Sequence, residues 1–257
     1  MNRIQQLFTQ KQSNILSVYF TAGFPELNST VRIIKLLQEH GVDMIEIGMP
    51  FSDPLADGNV IQHSSTVALR NGMTVSLLFS QIENIRKTVT IPLLLMGYIN
   101  PVLQYGVEKF CESCKHVGID GVILPDLPLH EYIKDYKHIF DAYGIQNILL
   151  ISPQTEEQRI RMIDEHTNAF IYMVSSSSTT GTKSQFSDEQ IQYFKRIQSM
   201  QLQNPLLVGF GISNTETFKQ VCLYTHGAIV GSACIKALEK EGTLEQNISE
   251  FVASIKG

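Results

Sequence analysis

The run MIEIGMPFSDPLADG, residues 44–58, determines how the rest of the chain is interpreted. Its first five residues alternate with period two, so Ile45 and Ile47 face one side of a predicted strand while Glu46 faces the other. Two prolines and further turn-forming residues then lead to Asp57. The run therefore takes one carboxylate out of an apolar strand and brings a second one back through a turn, so that both can share one pocket.

Glu46 and Asp57 are the candidate catalytic residues. If the strand is buried on both faces, an ionised Glu46 is costly, and its pKa is pushed upward into the range useful for proton transfer. The alternative for Glu46 is a position at a fraying strand end that reaches water. Asp57 has a stronger alternative, because an Asp before Gly and a helix-like stretch is often a turn or cap residue.

The composition predicts one globular domain spanning residues 1–257. A chain of 257 residues with 43% hydrophobic and 18% charged residues can bury one large core, and single α/β barrels of this size are common. The net charge of -5 and the pI near 5.8 provide no basic field for nucleic acid. No apolar run has the length of a signal peptide or of the roughly 18 residues that a membrane span needs, so we expect a cytoplasmic protein.

The four cysteines do not form a recognisable framework. Cys111 and Cys114 have the C-x-x-C spacing, but they lie in a helical pattern, and Cys222 and Cys234 form no second pair of that kind. We therefore expect neither disulfides nor a zinc or redox site, and no metal in this chain.

Short apolar runs alternate with amphipathic stretches from end to end. Eight runs are predicted to be strands: 16–20, 44–48, 92–96, 121–124, 147–151, 170–174, 206–208 and 228–230. Each is followed by a predicted helix: 30–40, 75–87, 102–116, 129–143, 156–166, 188–200, 213–223 and 232–255. An additional helical pattern precedes the first strand.

Repeated strand-then-helix units imply a parallel sheet, and eight of them at this length imply closure. The predicted fold class is therefore α/β, a TIM (β/α)8 barrel with an additional N-terminal helix. An open doubly wound sheet is the alternative, but no G-x-G-x-x-G follows the first strand.

The carboxyl ends of the strands, where barrels place their function, lack Lys, His and carboxylate clusters. They do carry Gly209-Phe210-Gly211 and Gly231-Ser232, where backbone N–H groups and a helix N-terminus can approach a phosphate. The alternative is that these glycines simply make short turns. Tyr172 and Thr180-Gly181 are further candidates for the same pocket.

Together these residues resemble the tryptophan synthase α subunit family over nearly the whole chain. The motifs that carry the resemblance, besides residues 46–58, are Thr21-Ala22-Gly23, Met96 to Pro101, Pro125-Asp126-Leu127-Pro128, Gly209 to Ser213 and Gly231-Ser232-Ala233. The family cleaves indole-3-glycerol phosphate to indole and glyceraldehyde 3-phosphate. The resemblance implies a retro-aldol lyase that needs no cofactor of its own, because indole protonated at C3 can act as the leaving group.

The resemblance also assigns roles by position. Glu46 matches the acid/base and Asp57 the carboxylate that faces the indole nitrogen. The positions that it implies for the substrate are Tyr19, Tyr172, Thr180 and Phe210, and those for its phosphate are Gly181, Gly211, Gly231 and Ser232. The family docks on a pyridoxal-phosphate β subunit as α2β2, and the candidate docking residues are Pro50, Asp53, Asn100 and Pro128, each of which could equally be loop punctuation.

Two segments depart from the family pattern. Phe24 stands where many relatives carry Asp, and Ser176 and Ser178 stand in a loop that often holds Arg and a first Gly. We expect the stretch 175–185, rich in Ser and Thr, to be mobile in the free chain and to close over substrate when the partner binds.

Two other functions remain open at this point. One is another phosphosugar barrel enzyme, such as an isomerase, which would turn over its substrate without forming indole. The other is a non-catalytic barrel that only activates a partner, against which the presence of both carboxylates argues.

Overall fold

The computed structural model describes residues 2–175 and 186–257. Within these ranges eight parallel strands form a closed barrel in chain order, with β8 paired to β1. The strands are β1 Ile15–Thr21, β2 Met44–Gly48, β3 Leu93–Met96, β4 Gly121–Ile123, β5 Gln146–Ile151, β6 Ile171–Val174, β7 Leu206–Gly209 and β8 Gly227–Val230. Each predicted strand is found within two residues of its predicted ends, and the (β/α)8 barrel is confirmed.

Helices surround the barrel, and a helix precedes the first strand as predicted. They are α1 Arg3–Gln10, α2 Thr30–Glu39, α3 Asn59–Arg70, α4 Val75–Ile82, α5 Ile99–Tyr105, α6 Val107–Val117, α7 Leu129–Glu131, α8 Lys137–Tyr143, α9 Glu157–His166, α10 Asp188–Ser199, α11 Thr215–Cys222, α12 Ser232–Leu238 and α13 Leu244–Lys256. A 3-10 turn at Ile85–Lys87 follows α4, and a π-helical turn at Tyr132–Tyr136 joins α7 to α8. No helix in the described part of the chain is long and apolar enough to cross a membrane.

The helix predictions were wrong in four places. The predicted helix 75–87 ends at Ile82, and a separate 3-10 turn at Ile85–Lys87 follows it. The predicted helix 102–116 is two helices, because Gly106 between α5 and α6 has a φ of 91°, which a helix cannot continue through. The last predicted helix also divides, since Gly242 has a φ of 117° and the Thr243 hydroxyl caps the start of α13. Helix α3 was not predicted as an element; its run of β-branched and hydroxyl residues has weak helix propensity, and burial of one face stabilises it.

Two apolar layers hold the barrel. Ile45 and Ile47 face outward into the layer between strands and helices. The inner layer contains Met44 on the opposite face of β2, together with Leu94, Ile123, Ile148, Leu207 and Ile229 from five other strands. Ile4 and Phe8 of α1 belong to this inner layer, so α1 closes the amino-terminal end of the barrel.

An ionic network around the buried Asp120 carboxylate fixes that closed end. Asp120 accepts from Arg3 Nη1 at 2.9 Å through Oδ1 and from Arg86 Nη2 at 2.5 Å through Oδ2. The N–H of Leu93 donates to the same Oδ2 at 3.0 Å. The charged groups at this end of the barrel pair with one another, so we assign them a structural role. The active site is expected at the opposite end, where the strands have their carboxyl ends.

Candidate active site

Glu46 lies on the inner face of β2, with 0% of its surface exposed. It is in register with Tyr19 on β1 and with Leu94 on β3. Burial raises the pKa of its carboxyl to about 8, and a hydrogen bond from Ser17 lowers that pKa in part. The alternative of a fraying, water-exposed strand end is therefore wrong, and Glu46 can carry a proton near neutral pH.

The two oxygens of Glu46 have different surroundings. Oε1 accepts a hydrogen bond from the Ser17 hydroxyl at 2.8 Å. Oε2 is buried and has no hydrogen-bond partner within residues 2–175 and 186–257. An unpaired buried carboxyl oxygen is unusual in a folded protein, and it is available for an exchange of protons with a ligand.

Asp57 lies in the loop between β2 and α3, and its carboxylate is held by Tyr98. The Tyr98 hydroxyl donates to Asp57 Oδ2 at 3.0 Å, and burial raises the pKa of Asp57 to about 6. Gly58 is the N-cap of α3, which has no side-chain cap. Asp57 therefore does not cap the helix, and the alternative of a cap residue is wrong. Its backbone N–H does close a turn by donating to the Pro54 carbonyl at 3.0 Å, as the other half of that alternative expected.

A cavity opens beside Asp57 at the carboxyl ends of β1 to β4. The Phe51 ring stacks on the Tyr98 ring, with centroids 5.2 Å apart and an interplanar angle of 28°. The cavity is lined by Tyr19, Met49, Phe51, Asp57, Ser65, Met96, Gly97, Tyr98 and Pro125. The lining combines aromatic and methionine side chains with hydroxyl groups and one carboxylate, which are the groups that recognise a flat aromatic ring carrying an N–H donor.

Tyr19 and Tyr172 are buried on the inner side of the barrel. A Cβ at Gly48 would lie 2.2 Å from the Tyr19 hydroxyl, and one at Gly209 would lie 2.1 Å from the Tyr172 hydroxyl. Only glycine at these strand ends leaves room for the two hydroxyls.

The same tyrosines connect the two carboxylates. Burial raises the pKa of both hydroxyls, and the charges of Glu46 and Asp57 raise both further. Since each carboxylate acts electrostatically on each ring, the structure brings Glu46, Asp57, Tyr19 and Tyr172 to one site.

The candidate phosphate residues follow β7 and β8, which are neighbouring strands. Phe210 and Gly211 both have positive φ, 71° and 80°, and the Ser175 hydroxyl donates to the Phe210 carbonyl at 2.8 Å. Gly231 is the N-cap of α12, and Ser232 is its exposed first residue. Thr180 and Gly181, together with Ser176 and Ser178, lie outside the described residues.

The conformational need for glycine differs between Gly211 and Gly231. Gly211 is in the left-handed region, where L-residues are strained. Gly231 has a φ of -112°, and a Cβ there would approach Tyr19 and Ile61 no closer than 3.4 Å. A small side chain therefore fits the backbone at Gly231.

The candidate docking residues follow strands at the same end of the barrel, with Asn100 in the first turn of α5 and the other three on loops. Asp53, Asn100 and Pro128 are exposed, and Pro50 is partly buried. Leu55, in the same loop as Asp53, has a side chain that is 92% exposed. The docking role of these residues remains a prediction.

Phe24 and the cysteine pair of α6, both noted in the sequence, are buried in the structure. Phe24 is buried in the outer apolar layer, where an Asp would lack compensation. Cys111 and Cys114 are buried on α6, and burial raises the pKa of Cys111 to about 12, which suppresses its reactivity.

Comparison with known proteins decides the family. The sequence profile described as tryptophan synthase alpha chain matches residues 5–256. The chain belongs to the tryptophan synthase alpha chain family. The tryptophan synthase alpha chain of Flavobacterium johnsoniae is 57% identical over 256 residues, covering 100% of both chains. That of Flavobacterium psychrophilum is 58% identical over 255 residues, covering 99% of this chain and 100% of the relative.

Solved structures agree with this membership of the tryptophan synthase alpha chain family. The alpha chain of Legionella pneumophila superposes with a TM-score of 0.89 at 33% identity, covering 100% of this chain and 96% of that one. A chain of tryptophan synthase from M. tuberculosis, in its aminoacrylate-bound form, gives a TM-score of 0.86 at 27% identity, covering 100% and 98%.

Three residues of the site were not predicted from the sequence. They are Ser17, Gly48 and Tyr98. Ser17 and Gly48 lie on the inward faces that period two assigns to Tyr19 and Glu46, so the alternation contained a usable signal. Tyr98 follows β3 by two residues, and its contact with Asp57 depends on the folded loop.

Proposed function

We propose that this chain is a lyase that cleaves indole-3-glycerol phosphate to indole and glyceraldehyde 3-phosphate by a retro-aldol reaction. The observation that carries the proposal is the fully buried Glu46, whose carboxyl has a pKa raised to about 8 and one oxygen without a partner among the described residues. A carboxyl in that state holds a proton at neutral pH and can return to the ionised form during a reaction.

In the first step, protonated Glu46 gives its proton to C3 of the indole ring. The ring becomes an electron-poor indolenine, with positive charge at the ring nitrogen. In the second step, ionised Glu46 takes the proton of the hydroxyl on the adjoining side-chain carbon. The bond from that carbon to C3 breaks, its electron pair returns to the ring, and the products are indole and an aldehyde.

Asp57 stabilises the charge that develops in the first step. Its carboxylate lies at the edge of the aromatic cavity, held by the Tyr98 hydroxyl, and its pKa near 6 leaves it ionised at neutral pH. Contributions of this kind are each of order 10²- to 10⁴-fold in rate, which is about 3 to 5 kcal/mol of activation free energy. Tyr19, Tyr172 and Phe210 line the substrate pocket, with Thr180 as a further contact.

The phosphate of the substrate binds after β7 and β8. Gly211, Gly231 and Ser232 present backbone N–H groups there, and Gly181 completes the site. The positive φ at Phe210 and Gly211 supports this proposal, because left-handed backbone in a turn is a common feature of anion-binding loops.

The chain works with a β subunit that carries pyridoxal phosphate, as an α2β2 assembly in L-tryptophan biosynthesis in the cytoplasm. It needs no cofactor of its own for cleavage. Pro50, Asp53, Asn100 and Pro128 contact the β subunit, and the exposure of Asp53, Asn100 and Pro128 at the end of the barrel that carries the site supports that placement.

The test is an assay of the purified chain with indole-3-glycerol phosphate, with and without a cognate β subunit. We expect indole and glyceraldehyde 3-phosphate in equal amounts, and faster release in the complex. Turnover without indole would instead indicate a phosphosugar isomerase. Binding of the β subunit without any turnover would indicate a non-catalytic barrel.

A further inference from the structure

Ser17 is a polar residue in an apolar position. It lies in the middle of β1, has 0% of its surface exposed, and is in register with Met44 on β2 and Ile229 on β8. Both of those neighbours belong to the inner apolar layer of the barrel. A buried hydroxyl there is costly unless it is hydrogen-bonded, so its partner indicates its purpose.

That partner is Glu46. The Ser17 hydroxyl donates to Glu46 Oε1 at 2.8 Å, and within the described chain this is the hydrogen bond that the Glu46 side chain makes. If Oε1 held the acidic proton and donated it to Ser17, the serine hydroxyl hydrogen would have no acceptor in the described chain. Donation by Ser17 avoids that cost, so Oε1 is the accepting oxygen.

The consequence concerns where the acid holds its proton. A protonated carboxyl has one O–H and keeps its other oxygen as an acceptor. With Oε1 engaged by Ser17, the exchangeable proton lies on Oε2, the oxygen that has no protein partner in residues 2–175 and 186–257. The same hydrogen bond restricts rotation of the carboxyl group, so the acidic oxygen stays in one orientation between turnovers.

We propose that Ser17 is a positioning residue for Glu46, which fixes the carboxyl and directs its transferable proton onto Oε2. The proposal rests on the proposed function, in which Glu46 is the acid/base. Ser17 itself does not touch the substrate in this account; it acts through Glu46 alone.

The hydrogen bond also sets how readily Glu46 loses its proton. Donation from Ser17 stabilises the ionised carboxyl and lowers its pKa, against the larger effect of burial. The other titratable groups around Glu46 are Tyr19 and Tyr172, on which its charge acts, and Asp57, whose charge acts on the same two rings. None of these donates a hydrogen bond to Glu46 in the described chain, so removal of the Ser17 hydroxyl isolates its effect.

The experiment compares the full chain with Ser17→Ala, Glu46→Gln and Thr225→Val. Thr225→Val is the matched control, because it removes a buried hydroxyl that donates to the carbonyls of Val221 in α11 and Gly227 at the start of β8, at the closed end of the barrel. The titration of the Glu46 carboxyl carbon is followed by carbon-13 NMR, with its signal assigned by its loss in Glu46→Gln. The kcat and KM for indole-3-glycerol phosphate cleavage are measured in parallel.

In Ser17→Ala we expect the Glu46 titration midpoint to rise by about one pH unit, since a hydrogen bond to a charged group is worth about that much. We expect kcat to fall about tenfold with KM nearly unchanged, and Thr225→Val to alter neither. If the Glu46 midpoint is unchanged in Ser17→Ala and Glu46→Gln still abolishes cleavage, the role of Ser17 is wrong and the proposed function stands. Full cleavage by Glu46→Gln would instead overturn the proposed function.

Discussion

The Tyr98 hydroxyl bridges the backbone and the carboxylate of the loop that carries Asp57. It accepts the N–H of Ala56 at 3.0 Å and donates to Asp57 Oδ2 at 3.0 Å. One side chain from the end of β3 therefore fixes both the course of the β2–α3 loop and the orientation of the acid. This geometry explains how a residue on an otherwise exposed loop can act on a buried substrate ring.

Tyr98→Phe should lower kcat/KM for indole-3-glycerol phosphate. It should also raise the apparent pKa of the acidic limb of the pH profile of kcat/KM, which we assign to Asp57. The lost hydrogen bond stabilises the ionised form of Asp57, so its removal should move that limb upward by about one pH unit. The matched control is Tyr105→Phe, whose hydroxyl lies 3.2 Å from Ser113 on α6, outside the cavity. If the acidic limb is unchanged in Tyr98→Phe, the Tyr98 hydroxyl does not set the pKa of Asp57.

The pH profile of kcat/KM for the unmodified chain should be bell-shaped. Activity should rise as Asp57 ionises near pH 6 and fall as Glu46 loses its proton near pH 8. A phosphate monoester also titrates at about 6, so the shift caused by Tyr98→Phe is what assigns the acidic limb to Asp57. Activity that kept rising through pH 9 would contradict a requirement for protonated Glu46.

Stability should also depend on Glu46. Its folded-state pKa is raised from 4.5 to about 8, so the folded chain binds a proton over this range that the unfolded chain has lost. The corresponding stability is complete below about pH 4.5 and is lost as pH rises toward 8. Glu46→Gln should therefore lose less unfolding free energy than the unmodified chain between pH 5 and 8.

Urea unfolding at several pH values measures this dependence. The pKa of Asp57 is also raised, so Asp57 lowers the unfolding free energy as pH rises in both the unmodified chain and Glu46→Gln. The difference between the two slopes of unfolding free energy against pH therefore gives the contribution of Glu46. Parallel stability curves would show that Glu46 titrates alike in the folded and unfolded chains.

The two phosphate-site glycines should respond differently to alanine. Gly211→Ala forces an L-residue to a φ of 80° and places its Cβ 3.3 Å from Phe186, so we expect a loss of about 1 to 2 kcal/mol of stability. Gly231→Ala should be nearly neutral, because its contacts are ordinary. Gly231→Val should weaken glycerol phosphate binding, measured by calorimetry; unchanged affinity in a folded variant would reject the site.

The sequence predicted the barrel and its two acids for identifiable physical reasons. Buried parallel strands are apolar runs, and the period of two correctly placed Glu46 on the face opposite to Ile45 and Ile47, although only the folded barrel shows which face is the inner one. Gly106 is a glycine inside an amphipathic pattern, which a helix can tolerate. Only its positive φ in the structure shows that a helix ends there.

Contacts between distant segments could not be predicted in this way. The Tyr98–Asp57 hydrogen bond joins residues 41 apart, and the Ser17–Glu46 hydrogen bond joins residues 29 apart. The second depends on which strands are neighbours and on their register, which sequence periodicity does not supply. These contacts orient the acids, so the fold was more predictable than the arrangement of the site.

The most direct test of the central claim is cleavage of indole-3-glycerol phosphate by Glu46→Gln in complex with the β subunit. The amide keeps the shape of the side chain but cannot carry a proton between two atoms. We predict that indole release falls by at least about a hundredfold, while glycerol phosphate affinity and the melting profile stay those of a folded barrel. Indole release within tenfold of the unmodified chain would contradict the assignment of Glu46 as the acid/base.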